Sequence, residues 1–189
     1  VTDEESAVAL DAAIGDLMCA ADGCGKDLVS GIGDVNSDEP GSGARYNDGK
    51  DPLDLVPCRH WLLLFKNPNN RLILNWLIKI QESPRPLTDE IMAGPTLFTN
   101  DLVSASKVFE YGAKKYAAWN WAKGMDWSVP IGCAIRHMLA IEAHGLGALD
   151  DESNQTHWGH VVCNVIMLMW FIDLYPEGDN VALPLCQRA

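Results

Sequence analysis

His157-Trp158-Gly159-His160-Val161-Val162-Cys163-Asn164-Val165-Ile166-Met167-Leu168-Met169-Trp170-Phe171-Ile172-Asp173-Leu174-Tyr175 is the stretch that decides the fold. It is long enough for a helix and apolar on nearly every face. Such a helix belongs at the centre of a bundle or in a subunit interface. His157, His160 and Asn164 break the pattern, because they share a stripe with Leu168 and Phe171. Polar groups in a helical core are costly unless partnered. Just upstream lies an acidic turn, Asp150-Asp151-Glu152-Ser153. In the preceding segment, Ser128–Gly145, Glu142 falls on one stripe with Ile131, Ile135 and Met138 at about 100° per residue. Carboxylates and imidazoles gathered in a helical core point to a divalent cation, and hence to metal-dependent chemistry on phosphates. Each residue also has a plainer reading. Glu142 can pair with a Lys or Arg at the helix end. The histidines can be a hydrogen-bonded core pair, and Asp150, Asp151 and Glu152 can complement a helix dipole.

Working outward, Ser128 can cap its helix with Pro130 in the first turn, and Gly145 is a stop. Before it, Leu102, Ala105, Phe109, Gly112, Ala113 and Tyr116 make one helical face, with Lys107, Glu110 and Lys114 opposite. Ala118–Trp127 is an aromatic loop. Its Trp119, Trp121 and Trp127 can stack a base, or can pack the loop over the bundle. Trp61–Phe65 and Leu72–Ile80 read as helical pieces separated by a turn at Asn67-Pro68-Asn69-Asn70, and Ser83-Pro84-Arg85-Pro86 is a break. Thr2 to Glu5 reads as a capping box opening an amphipathic helix, and Asp22–Gly43 as a loop. The chain thus divides into an N-terminal helix and acidic linker (1–43), an all-α domain (44–176) and a loose tail (177–189).

Bulk properties narrow the function. With 26 acidic against 14 basic residues, the net charge of −12 excludes coating a nucleic acid polymer. Apolar runs such as Val161–Ile172 are too short for a bilayer, and the acidic N-terminus lacks a secretory n-region. The six cysteines form no CxxC pair, which suits a reducing cytoplasm and argues against structural zinc. Arg45, Lys50, Lys115, Lys123 and Arg136 are scarce cations in an acidic protein, and each can hold a phosphate or simply be solvated.

The order of several segments resembles the dATP/dGTP pyrophosphohydrolases of phages and bacteria, within the MazG-like all-α superfamily. The matching pieces are Ala44-Arg45-Tyr46-Asn47-Asp48-Gly49-Lys50, Tyr111-Gly112-Ala113-Lys114-Lys115-Tyr116, Asn120-Trp121-Ala122-Lys123-Gly124-Met125 and Arg136-His137, followed by the acidic turn and His157 to Asn164. The chain departs from the superfamily in lacking its paired ExxE and ExxD helices. It is similar to members from phages that replace adenine with 2-aminoadenine, so a host cytoplasm and dGTP as first substrate are implied.

The resemblance implies a MazG-like helical bundle and cleavage of a deoxynucleoside triphosphate to monophosphate and pyrophosphate. Two or three divalent ions, Mn²⁺ or Mg²⁺, would sit among Glu142, Asp150, Glu152, His137, His157 and His160. Glu142, Asp150 and Glu152 would serve the reaction. Arg45, Lys50, Lys114, Lys115 and Arg136 would hold phosphates, Asn120 and Trp121 would orient sugar or base, and Asn164 would steady a ligand. A homo-oligomer, dimer or tetramer, is implied. Two alternatives stay open: a non-catalytic helical assembly protein, and a hydrolase of another or modified nucleotide.

Overall fold

The computed structural model describes residues 33–45 and 50–183. The helix expected after Thr2 and the chain from 184 onward lie outside the described residues. The described chain is all-α: α1 (Cys58–Trp61), α2 (Pro68–Glu82), α3 (Asp89–Met92), α4 (Thr99–Lys115), α5 (Ser128–His144) and α6 (His157–Leu174). Short 3-10 turns lie at Leu53–Leu55, Asn120–Lys123 and Pro176–Gly178.

α6 is the central element, packed between α4 and α5. It starts where Thr156 caps it, the Thr156 hydroxyl accepting from Gly159 N at 3.1 Å. Its 18 residues have a mean hydropathy of 1.3, enough in principle to cross a membrane, but 72% of those residues are buried within the fold, as a core helix requires. Val161, Leu168 and Phe171 of α6, Ile131, Ile135 and Met138 of α5, and Ile73, Leu74, Leu77 and Ile80 of α2 are buried together. Burying one such side chain stabilises the fold by about 1.5–3 kcal/mol. Gly159 permits close approach to α4, since a Cβ there would stand 3.0 Å from Ser104 O.

Four local expectations are corrected. Asn67 to Asn70 is no free turn: Asn67 caps α2, accepting from Asn69 N at 2.9 Å, with Pro68 as the first helical residue. Trp61–Phe65 contributes only the end of α1 and the turn after it. In α4 the face toward α6 runs through Ala105 and Val108, whereas Leu102 is 50% exposed. The reason is Asp101, which accepts from Phe98 N and from the Trp158 indole (2.8 Å each) and so fixes the helix phase. Ser128 does not cap α5; it opens the helix, and its N–H and hydroxyl are bound by Asn180 (3.0 Å each). α5 ends at Gly145 as expected, with φ +90°.

Residues 177–183 are docked rather than loose. Trp127 N donates to Gly178 O (2.9 Å), Leu183 N donates to Gln81 O (3.0 Å), Arg85 pairs with Asp179, and Val181 is buried. Residues 33–43 form turns pinned to the loop after α4. Gly41 N and Gly43 N donate to Lys123 O (2.7 Å) and Gly124 O (2.9 Å), while Lys123 Nζ reaches Ser37 O at 2.6 Å. This pinned strap delivers Arg45 to the interior.

Candidate active site

Cys133, His137 and His144 lie on one side of α5 at helical spacing, with Arg136 beside them. His157, His160, Asn164 and Met167 lie on the facing side of α6. Together with the end of α4, the aromatic turn and the acidic turn, they line a cavity of about 980 Å³.

At one end the polar groups converge. The Nδ1 atoms of His137 and His157 are 2.9 Å apart, and the His137 ring stacks on His160 at 4.3 Å. Ligand atoms of His137, His157 and Asp150 all lie within 4.8 Å of one another. Asp150 is set by its turn. Its backbone N–H donates to Gln155 O (2.8 Å), and Leu149 pairs across to Thr156 in an isolated bridge. Asp150 Oδ1 accepts from Ser153 N (2.9 Å) and Ser153 Oγ (2.8 Å), and stands 3.6 Å from His160 Nε2. Ser153 Oγ also bonds His160 Nε2 at 2.7 Å.

Electrostatics keep these imidazoles neutral. Burial, then the neighbouring histidines and Arg45 and Arg136, push His137 well below the usual histidine range. Burial lowers His157 as well, and takes His160 down to about 4 despite Asp150 beside it. For Asp150, burial acts upward, but His160 and the two Ser153 donors outweigh it and hold the carboxyl low. Neutral imidazoles beside a carboxylate form a donor set for a divalent cation. Two nitrogens on adjacent sites of one cation, each about 2.1 Å from it, would be about 3 Å apart, which the His137–His157 separation matches.

Cations occupy the wall. The Arg45 guanidinium donates to Asn164 Oδ1 at 3.0 Å and approaches Met167 Sδ at 3.5 Å. Arg136 donates to Asp51 O at 3.1 Å and lies 3.7 Å from Cys133 Sγ. Burial opposes the Cys133 thiolate, but Arg45, Arg136 and Lys50 outweigh burial and lower its pKa, while burial pushes Cys163 up to about 12. Lys115 pairs with Glu152, which also accepts from Tyr111 Oη at 2.8 Å. Burial acts upward on Glu152, and these two partners outweigh it.

Among the residues expected at the site, Arg45, Lys50, Lys115, Asn120, Trp121, Arg136, His137, Asp150, Glu152, His157, His160 and Asn164 line this one cavity. Two are placed elsewhere. Glu142 lies five residues beyond His137, about 140° around the helix. Its carboxylate accepts from Asn67 N (2.9 Å), Lys66 N (3.0 Å) and Asn70 Nδ2 (2.8 Å), anchoring α5 to the start of α2. Lys114 points outward and pairs with Glu110 at 2.6 Å, both exposed. Two more line the cavity with their polar groups already engaged. Asn164 grips Arg45 and returns its amide to His160 O (2.8 Å), and Asn120 clamps both backbone groups of Ala44 (3.2 and 2.8 Å). Cys133, His144, Tyr111 and Ser153 also belong to the site or its support, although no role was expected of them. For Cys133 and His144 a signal existed: with His137 they repeat at four and seven residues along one face of α5.

Comparison with known families makes this helical chain a hydrolase acting on acid anhydrides. Residues 88–181 match the family described as dATP/dGTP diphosphohydrolase, N-terminal, and over that segment the chain belongs to this family. No curated relative and no solved structure matches it. The matched segment runs from α3 to just past α6 and contains the whole His–Asp cluster. Family membership sets aside the non-catalytic assembly reading.

Proposed function

We propose that this protein hydrolyses dGTP, with dATP as a second substrate, to the deoxynucleoside monophosphate and pyrophosphate. The observation that carries this reading is the convergence of His137, His157 and Asp150 at the end of a cation-walled cavity. These three would hold the divalent cation, with His160 and Glu152 beside them. A cation bound there would neutralise phosphate charge and make a bound water more acidic.

The chain's own groups account for the rest. Arg45, Lys50 and Arg136 face the cavity and neutralise the triphosphate, the main demand of phosphoryl transfer. Asn164 fixes the direction of the Arg45 fork, and Glu152 holds Lys115 and Tyr111 at the rim. Ser153 keeps Asp150 ionised and aimed at the histidines. Water attacks the α-phosphorus, its bond to the bridging oxygen breaks, and pyrophosphate leaves. The exposed Phe98 (69%), which precedes α4, and Leu102 (50%) and Val103 (52%) on α4 suit contact with a second copy of the chain.

Incubation with dGTP and Mn²⁺, with and without EDTA, tests the reading, the products being resolved by anion exchange. The expected products are dGMP and pyrophosphate, formed only without chelator. Formation of dGDP and phosphate would move the cleavage to the γ position and overturn it.

A further inference from the structure

The three tryptophans near the turn after α4 have three different placements. Trp127 is buried and donates its indole N–H to Tyr175 O at 3.0 Å. Trp121 is wedged between Phe109 (5.1 Å) and Trp170 (5.7 Å). Trp119 lines the cavity yet remains 72% exposed, and its backbone is left-handed, with φ 63° and ψ 9°.

Each of these features is unfavourable alone. A left-handed conformation costs a bulky residue on the order of 1–2 kcal/mol, a cost that glycine would avoid. An indole left in water forgoes most of the stabilisation its burial would give. Both costs fall on one residue at the cavity mouth, its ring 6.1 Å from Trp121 and tilted 43° to it. Strain of this kind persists where a side chain's position serves a purpose. The cavity is also bipolar along α6: the His–Asp cluster gathers at His157 and His160 in the first turn of that helix, whereas Trp121, which Trp119 leans on, packs against Trp170 near its other end. A nucleotide has the same two ends.

We propose that Trp119 is the base platform of the site, stacking on the purine ring of a nucleotide whose phosphates lie toward Arg45 and the His–Asp cluster. This rests on the proposed function and deepens it. Stacking reads the area of a π face and no hydrogen-bond pattern. Trp119 therefore favours purines over pyrimidines while treating guanine and adenine nearly alike.

The test compares wild type, Trp119→Ala and Trp119→Phe. It reads KM and kcat for dGTP and dCTP, affinity for dGMP by fluorescence quenching without metal, melting temperature and elution volume. Trp119→Ala should raise KM for dGTP and weaken dGMP binding by about tenfold to a hundredfold. It should also narrow the gap between dGTP and dCTP, move kcat far less, and leave the melting temperature no lower than wild type. Phenylalanine should recover most of the loss. Unchanged dGMP affinity in Trp119→Ala would overturn the proposal. So would a changed elution volume with unaltered KM, which would make the indole a contact between chains. If wild type turns over no nucleotide, the proposed function fails, and dGMP binding still decides the role of Trp119.

Discussion

Glu142→Gln separates a residue that serves the fold from one that serves the reaction. One oxygen of the Glu142 carboxylate accepts from Asn67 N (2.9 Å) and Asn70 Nδ2 (2.8 Å), the other from Lys66 N (3.0 Å). Glutamine keeps the volume and one acceptor but turns an NH₂ group toward a donor. At least one charge-assisted hydrogen bond is lost, worth about 1.5–3 kcal/mol when shielded. Asn70 is fully buried, but Lys66 is exposed, so water recovers part of the loss. A net cost of roughly 1–2 kcal/mol follows. For a chain of this size that lowers Tm by about 2–8 °C. Because the carboxylate faces α2 and not the cavity, the Mn²⁺-dependent rate per folded molecule at 25 °C should change less than about threefold. Circular dichroism melts and dGTP hydrolysis on one preparation read both quantities. An unchanged Tm combined with a hundredfold loss of rate and of Mn²⁺ binding would refute the placement.

Asp150→Asn should keep the Ser153 hydrogen bonds, and so the turn, but weaken Mn²⁺ binding and lower the rate by about a hundredfold or more, read by electron paramagnetic resonance of free Mn²⁺ and by turnover. Asn164→Ala removes the acceptor that holds Arg45 and should raise KM for dGTP by about tenfold, with Mn²⁺ binding unaltered in the same titration. Because His137, His157 and His160 are all lowered on folding, the unfolded chain binds more protons below about pH 6.5. Stability of the metal-free protein should therefore be level between pH 7 and 8 and fall as pH drops from about 6.5 toward 4; a flat urea midpoint across that range would contradict the burial of the cluster. Gly159→Val forces a side chain against Ser104 O and should cost about 1–3 kcal/mol, visible as a lower urea midpoint.

The α-helical fold was legible because α5 and α6 are so apolar that only a core position suits them. The His157 and His160 pair was legible for the same reason, as was the acidic turn beside it. Glu142 misled because an inward stripe on α5 has two possible neighbours, the cavity and α2. Sequence periodicity gives the stripe without saying which neighbour it meets. His137 could be placed only through the resemblance to a family, since the histidine it meets, His157, lies twenty residues away on another helix. The phase of α4 turned on two hydrogen bonds to Asp101, and no hydrophobic pattern encodes them. The ambiguity of the three tryptophans had the same origin, because their environments differ only in three dimensions.

The strap that runs from residue 33 to Arg45 has a consequence for the boundaries of the working unit. The family segment, 88–181, contains the histidines, Asp150 and Arg136, yet Arg45 and Lys50 enter the cavity from chain that precedes it. The strap is held by Asn120 and Lys123, inside the family segment, through contacts to the backbone of Ala44, Val35 and Ser37 that do not depend on side-chain identity there. The His–Asp cluster and Arg136 are confined to one compact stretch, while Arg45 and Lys50 come from a separate piece docked on it by main-chain contacts, in which Gly41 and Gly43 lie so close to Tyr175 and Gly124 that a Cβ has no room. A fragment limited to 88–181 would therefore keep the histidines, Asp150 and Arg136 but lose Arg45 and Lys50 from the cavity wall.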